Sequence, residues 1–242
     1  MNMRNLCIRP LVIAVGISAV LIAANATGDE DDSPDKMMTY RVTIQNLAAG
    51  QPLSPPTMAT HKGGMRLFKV GDEASFELEA IARDGNNVPM FDLLSTSSHV
   101  FEVVDFGMPL TPGGTAIGDI TDASTLMIQG RSGDRLSVVS MLVCTNDGFV
   151  GLDRVKLPDK GSSVFTLHGF DAGAEDNTER SADIVDACSD LGPLMLSGDP
   201  NGNENAAVDT VPRGVVEGHE GVIGVGDLGA AHQIPRGAAK VT

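Results

Sequence analysis

The chain is poor in aromatic side chains. Its 242 residues include no Trp, a single Tyr (Tyr40) and 8 Phe. Flat aromatic rings are the usual stacking surfaces for sugars and for single-stranded nucleic acids. Their scarcity argues against both classes of ligand.

Basic residues are scarce as well. The chain has 17 Lys and Arg against 32 Asp and Glu, which gives a formal net charge of −15. Because like charges repel, we expect no nucleic-acid partner and no direct membrane binding without bridging cations. Hydrophobic residues nevertheless make up 42% of the chain, which is enough to bury the core of one large domain.

The apolar run near the start of the chain, Leu11–Ile22, is shorter than the roughly 20 residues that span a bilayer. Two arginines precede it, and Ala24-Asn25-Ala26 supplies the small residues typical of a cleavage site. We therefore predict a signal peptide at residues 1–26 and an extracytoplasmic location, meaning secreted, periplasmic or at the cell surface. An uncleaved anchor remains the alternative.

The rest of the chain divides into a short acidic stretch and one domain. Residues 27–38 are rich in Asp and Glu and poor in apolar residues, so we predict a disordered acidic linker there. Residues 39–242 are predicted to form a single domain. After removal of the signal peptide, two of the three cysteines remain, Cys144 and Cys188. An oxidising compartment permits a disulfide between them, and free buried thiols are the alternative.

Short segments of β-type composition dominate the predicted domain. Tyr40, Val42 and Ile44 alternate with polar residues, which indicates a half-buried strand. Asp72 is predicted to cap a helix that ends before Gly85. By composition and length, strands are predicted at 39–47, 98–105, 125–129, 136–144 and 163–170, the start of another at 240–241, and helices at 73–83 and 89–94.

Carboxylates follow two of these strands. Asp147 comes shortly after the strand at 136–144, and Asp171 and Glu175 follow the strand at 163–170 around a glycine. Calcium prefers six to eight such oxygen ligands, so the three carboxylates are a candidate site for a hard cation. Along a straight strand Asp153 would lie about 20 Å from Asp147, too far to share an ion unless Gly148 or Gly151 bends the chain. An acidic loop without an ion is the alternative.

Two segments combine several motifs: Thr145-Asn146-Asp147-Gly148-Phe149-Val150-Gly151-Leu152-Asp153 and Phe170-Asp171-Ala172-Gly173-Ala174-Glu175. Together they resemble the spondin domain, the amino-terminal module of F-spondin and mindin, and especially its bacterial branch. Weaker likeness extends, in the family's order, to residues 40–46, 52–56, 59–61, 221–228 and 240–242. The resemblance covers nearly all of the predicted domain.

The resemblance implies an all-β fold, an antiparallel β-sandwich similar to calcium-dependent membrane-binding domains, with one or two short helices in its connections and one bound Ca²⁺. Its ligands are the aspartate of a Pro-Asp-aromatic turn and two carboxylates of an Asp-Ala-Gly-Thr-Asp motif, which match Asp147, Asp171 and Glu175. Glu175 replaces the aspartate of the animal members, and Gly148 replaces their aromatic residue. The implied function is non-enzymatic: exported, calcium-binding, and associated with a cell-surface or matrix ligand, as in adhesion.

Two alternatives remain open at the level of sequence. The chain would be a metal-dependent (zinc or copper) extracytoplasmic enzyme if His219 or His232 bound metal together with nearby carboxylates. No pair of histidines has the i, i+4 or His-x-His spacing that favours such a site. The other alternative is a matrix or envelope scaffold with no functional ion. The segment from Asp199 to Thr210 imitates a helix-loop-helix calcium loop but lacks its glycine and its final glutamate.

Overall fold

The structure, a computed structural model, describes residues 36–112, 126–193, 198, 209–235 and 237–242. The predicted signal peptide and residues 27–35 of the predicted linker lie outside these ranges, as do residues 199–208 of the imitated calcium loop. None of the helices in the described ranges is long and apolar enough to cross a membrane.

The described residues form mainly β-strands, with a few short helices between them. In chain order the elements are β1 (Met37–Val42), β2 (Ile44–Asn46), β3 (Thr57–His61), α1 (Phe76–Asp84), α2 (Val88–Thr96), β4 (Val100–Asp105), β5 (Leu126–Arg131), β6 (Arg135–Met141), β7 (Gly148–Lys156), β8 (Phe165–Asp171), α3 (Ala187–Leu191), β9 (Glu217–Gly218) and β10 (Ala239–Val241). Two 3₁₀ turns, Ser181–Asp183 and Ala230–His232, complete the set.

All of these strands pair in the antiparallel sense. β1 pairs with β5 as a separate two-stranded sheet, and the larger sheet has the order β2-β10-β8-β7-β6-β3-β4, with β9 beside β8. The larger sheet curls into a half barrel. The predicted all-β, antiparallel sandwich with short helices in its connections is therefore confirmed.

Both faces of the larger sheet are buried. Along β6, Val138 packs in the cluster that contains residues of β1 and β5, whereas Val139 and Met141 pack in the cluster that contains residues of α1 and α2. A strand covered on both sides has no polar face, so its sequence reads as a continuous apolar run. This explains the composition of residues 136–144.

The structure corrects several predicted elements. β6 ends at Met141 rather than at residue 144, and both β3 and β7, which were not predicted as strands, lie beside it. Helix α1 begins three residues later than predicted, because Ser75 Oγ accepts the N–H of Leu78 at 3.3 Å. Asp72, the predicted cap, binds Lys69 Nζ at 2.6 Å instead. β1 begins at Met37, within the stretch assigned to the linker.

The two cysteines of the domain form a disulfide. Cys144 lies in the turn between β6 and β7, Cys188 lies in α3, and their Cα atoms are 4.9 Å apart. Both side chains are buried. The crosslink ties the helix to the end of the sheet that carries the candidate cation site.

Candidate cation site at the ends of β7 and β8

The first two candidate ligands meet where two paired strands end. Asp147 immediately precedes β7, and Asp171 is the last residue of β8. Gly148 pairs with Asp171 across the strands, and the carbonyl of Asp147 accepts the N–H of Ala172 at 3.2 Å. The strand pairing therefore holds the two aspartates side by side.

Asp147 is a buried carboxylate with one satisfied oxygen. Its side chain is 0% exposed, and Oδ2 accepts the N–H groups of Ala174 at 2.7 Å and Glu175 at 3.0 Å. Within the part of the chain that the structure describes, its Oδ1 has no hydrogen-bond partner. Burial, and next the charge of Asp171, raise the pKa of Asp147 to about 7. The site therefore contains a buried acceptor that is about half ionised at neutral pH and carries a full charge only above it.

Asp171 is almost as buried as Asp147, but each of its two carboxylate oxygens accepts a hydrogen bond. Oδ1 accepts the N–H of Gly173 at 2.7 Å, and Oδ2 accepts the side-chain amide of Asn177 at 2.5 Å. Gly173 has a φ of +70°, and a Cβ there would lie 2.7 Å from the backbone of Gly214. The turn that folds the 171–177 segment back toward Asp171 therefore requires glycine.

Glu175 faces helix α1. Its Oε1 lies 2.8 Å from an Arg83 guanidinium nitrogen, and the same nitrogen lies 3.0 Å from Asp209 Oδ1. Burial raises the pKa of Glu175 to about 8, although the guanidinium of Arg83 opposes that shift. The sequence indicated nothing of this ion pair, since Arg83 belongs to an element distant in the chain.

The three carboxylates fit a hard cation only in part. Asp147 offers an unused buried oxygen beside Asp171, whereas Glu175 is engaged by Arg83. Among the described residues, the one group of three metal-ligating side chains with ligand atoms within 4.8 Å of one another is Cys144, Cys188 and His232. The two sulfurs of that group are joined in the disulfide. They are therefore not available as thiolate ligands.

The two histidines of the alternative hypothesis lie in different surroundings. His219 packs on Gly148, where a Cβ would lie 3.1 Å from its Nε2. Its Nδ1 accepts the N–H of Gly221 at 3.0 Å, and Nδ1 of His232 accepts the N–H of Gly229 at 3.2 Å. A neutral imidazole bonded in this way carries its proton on Nε2, the atom that would bind metal. Burial lowers the pKa of both histidines.

Asp153 belongs to a different cluster. Its Oδ1 lies 3.1 Å from Ser137 Oγ, which in turn lies 2.8 Å from His61 Nε2, and His61 Nδ1 donates to the Lys62 carbonyl at 2.9 Å. A hydroxyl beside an imidazole is the pairing used in nucleophilic catalysis. Ser137 and His61 are 0% exposed, so a substrate does not reach them, and we interpret the cluster as structural. The pairing of β3 with β6 brings His61 to Ser137, and the pairing of β6 with β7 brings Asp153 to Ser137.

Comparison with known proteins does not assign a family. No family model matches the chain, and no curated protein matches it. The resemblance to the spondin domain therefore stays a prediction that rests on the motifs of the chain itself.

Proposed function

We propose that this chain is an exported, calcium-binding, non-enzymatic domain of the spondin type that associates with a cell-surface or matrix ligand. In this proposal Asp147 and Asp171 bind the ion directly, and Glu175 is the third ligand that the resemblance implies. The ion stiffens the end of the sheet from which the loops after β8 emerge.

The observation that carries the proposal is the environment of Asp147. A buried, ionised carboxylate with an unused oxygen is costly unless a positive charge compensates it. Asp171 adds a second negative charge on the adjacent strand. A divalent cation there neutralises both carboxylates, and oxygen ligands of this kind are those that calcium prefers.

Glu175 makes the site dependent on helix α1. Its backbone N–H already binds Asp147, while its carboxylate pairs with Arg83. Binding of the ion through Glu175 replaces that ion pair, so part of the binding free energy is spent on releasing Arg83. The affinity of the site is therefore expected to be moderate, within the range of extracellular calcium modules, about 10⁻⁴–10⁻³ M.

Export is proposed from the segment at residues 1–26 and is supported by the disulfide. Disulfides persist in oxidising compartments and are rare in the cytosol. The Cys144–Cys188 bond joins two buried side chains of the domain core. A surface or matrix location supplies both the oxidising conditions and the millimolar calcium that a site of moderate affinity requires.

Calorimetry with calcium or with EDTA tests the proposal. At about 100 times its Kd, calcium stabilises the folded state by about 2.7 kcal/mol. For a domain of this size that corresponds to a rise in Tm of about 5–10 °C. Asp171→Asn, which keeps an acceptor for the N–H of Gly173, is expected to abolish the rise in Tm. The control Asp92→Asn, at an exposed position of α2, removes the same charge and should show the same rise as the wild type.

Each outcome of this experiment has a defined consequence. No shift in the wild type removes calcium from the proposal. A shift that persists in Asp171→Asn moves the ion to another part of the chain. Zinc or copper in elemental analysis of protein purified without added metal would instead favour the enzyme alternative.

A further inference from the structure

One loop of the chain presents apolar side chains to solvent on a rigid support. In the segment 221–228, here called the apolar loop, Ile223 is 66% exposed and Val225 is 65% exposed. The flanking Val222 and Leu228 are buried. Apolar side chains that are exposed together on a rigid surface mark a candidate site of protein contact.

Glu179 holds the apolar loop in place. Its carboxylate accepts the N–H groups of Ile223, Gly224 and Val225 at 2.6–2.8 Å, and its carbonyl accepts the N–H of Asp227 at 2.7 Å. These bonds direct the backbone inward and leave the two branched side chains outside. The exposure of Ile223 and Val225 therefore results from a backbone that the buried Glu179 carboxylate holds in place, and not from a loose turn.

The surroundings of the apolar loop carry a net negative charge. Residues 217–228 contain Glu217, Glu220 and Asp227 and no Lys or Arg, and one cation, Arg180, lies near Asp227. A partner that covers Ile223 and Val225 must therefore offer an apolar surface edged by positive charge.

The same chain has such a surface at the other end of its sheet. A cavity of about 80 Å³, here called the basal pocket, has an apolar lining that includes Leu136, Leu157, Phe165 and Val241. Arg41 and Lys156 also line it, both exposed; none of the described lining residues is acidic, although Asp134 and Asp159 lie near Tyr40 at its wall. Its volume is several times the about 10–15 Å³ that a single water needs. The basal pocket therefore has room for a branched aliphatic side chain.

We propose that the apolar loop of one copy docks in the basal pocket of a second copy of this chain. Both surfaces are apolar, and the acidic residues beside the apolar loop match the two cations that line the basal pocket. The apolar loop lies near the start of β7, because His219 packs on Gly148, and the basal pocket lies at its other end, beside Lys156. Eight strand steps separate these ends by about 26 Å.

Each copy has one loop and one pocket, so the loop of one copy contacts the pocket of another. Where the two surfaces do not engage reciprocally, such contacts propagate into chains or rings. Two side chains bury much less than the roughly 1,200–2,000 Å² of a stable interface. Association is therefore weak in dilute solution and increases when copies are crowded on a surface.

Sedimentation velocity over a range of concentrations tests the inference. For the wild type we expect the average mass to rise with concentration in about 0.15 M NaCl, which screens the long-range repulsion between copies of equal net charge. Ile223→Asp/Val225→Asp and, separately, Arg41→Glu/Lys156→Glu are expected to remain monomeric. All four positions are exposed, so both variants should keep the wild-type circular dichroism spectrum. Phe76→Asp/Val88→Asp, at two exposed apolar positions of α1 and α2, is the matched control and should associate like the wild type.

Mixing the two variants tests whether the apolar loop of one copy docks in the basal pocket of another. The loop variant keeps an intact basal pocket and the pocket variant keeps an intact apolar loop, so an equimolar mixture is expected to form dimers and nothing larger. A wild type that stays monomeric up to millimolar concentration, or a mixture that stays monomeric, would overturn the inference. So would association of the loop variant on its own.

Discussion

Replacing Asp147 by Asn is expected to stabilise the calcium-free protein at neutral pH, although it removes the central residue of the proposed site. Asn carries no charge and keeps an oxygen for the N–H groups of Ala174 and Glu175. The wild-type carboxylate, in contrast, is buried beside Asp171 and must ionise as the pH rises.

The size of the effect follows from the pKa of Asp147, which is about 7 in the folded state against 3.8 ordinarily. Because the folded state retains the proton longer, the contribution of this group to stability is full below pH 3.8 and is lost as the pH rises through about 7. The complete loss is roughly 4 kcal/mol. Between pH 4.5 and pH 8, the variant should gain about 3 kcal/mol relative to the wild type.

Urea unfolding in EDTA at these two pH values measures the effect. Glu175, whose pKa is raised to about 8 by burial and also by the charge of Asp147, titrates in both proteins, so the effect of its burial cancels in the difference. The difference at pH 4.5 also records any packing cost of the amide. Calcium at pH 8 should stabilise the wild type and leave the variant unchanged. If the difference in unfolding free energy is the same at both pH values, Asp147 does not carry the unfavourable buried charge described above.

Three further changes probe the framework around the site. Replacing Cys144 and Cys188 together by Ser removes a crosslink over 44 residues and is expected to lower the unfolding free energy by about 4 kcal/mol in the chain-entropy account; an unchanged urea midpoint would contradict this. Gly173→Ala should destabilise by about 1–3 kcal/mol because of its positive φ and the close backbone of the neighbouring segment, whereas Gly218→Ala, with open space at its Cβ, should have little effect on Tm. Ser137→Ala removes the hydroxyl that bonds His61 Nε2 and that accepts the N–H of Arg154. Both groups stay buried, so we expect the unfolding free energy to fall by about 1–3 kcal/mol in denaturant titration.

The strands that the sequence predicted and those it missed differ in their local pattern. The alternation at Tyr40, Val42 and Ile44 predicted β1 and β2, and the apolar run after Arg135 predicted β6. β3 was missed because all five of its residues are buried although two are threonines and one is a histidine. Composition does not indicate a strand whose polar side chains find their partners inside the sheet. β7 was missed because its glycines resemble a turn.

The candidate site shows the same division. Short-range features of the sequence placed Asp147, Asp171 and Glu175 at strand ends around a glycine turn, and the structure has Asp147 and Asp171 on paired strand ends. The sequence did not indicate that Arg83 of α1 forms an ion pair with Glu175, or that the ring of His219 packs on Gly148. Both contacts join segments that are far apart in the chain, and no local spacing encodes them.

By itself, the sequence determined the class of the fold and the local geometry of the carboxylates, because apolar alternation and glycine turns act over a few residues. Tertiary structure alone decided which charges meet. Burial of Asp147 beside Asp171 raised its pKa, and the packing of α1 gave Glu175 a cation from its own chain. The strength of a charge interaction depends on separation and on exclusion of water, and both are properties of the folded chain rather than of its sequence order.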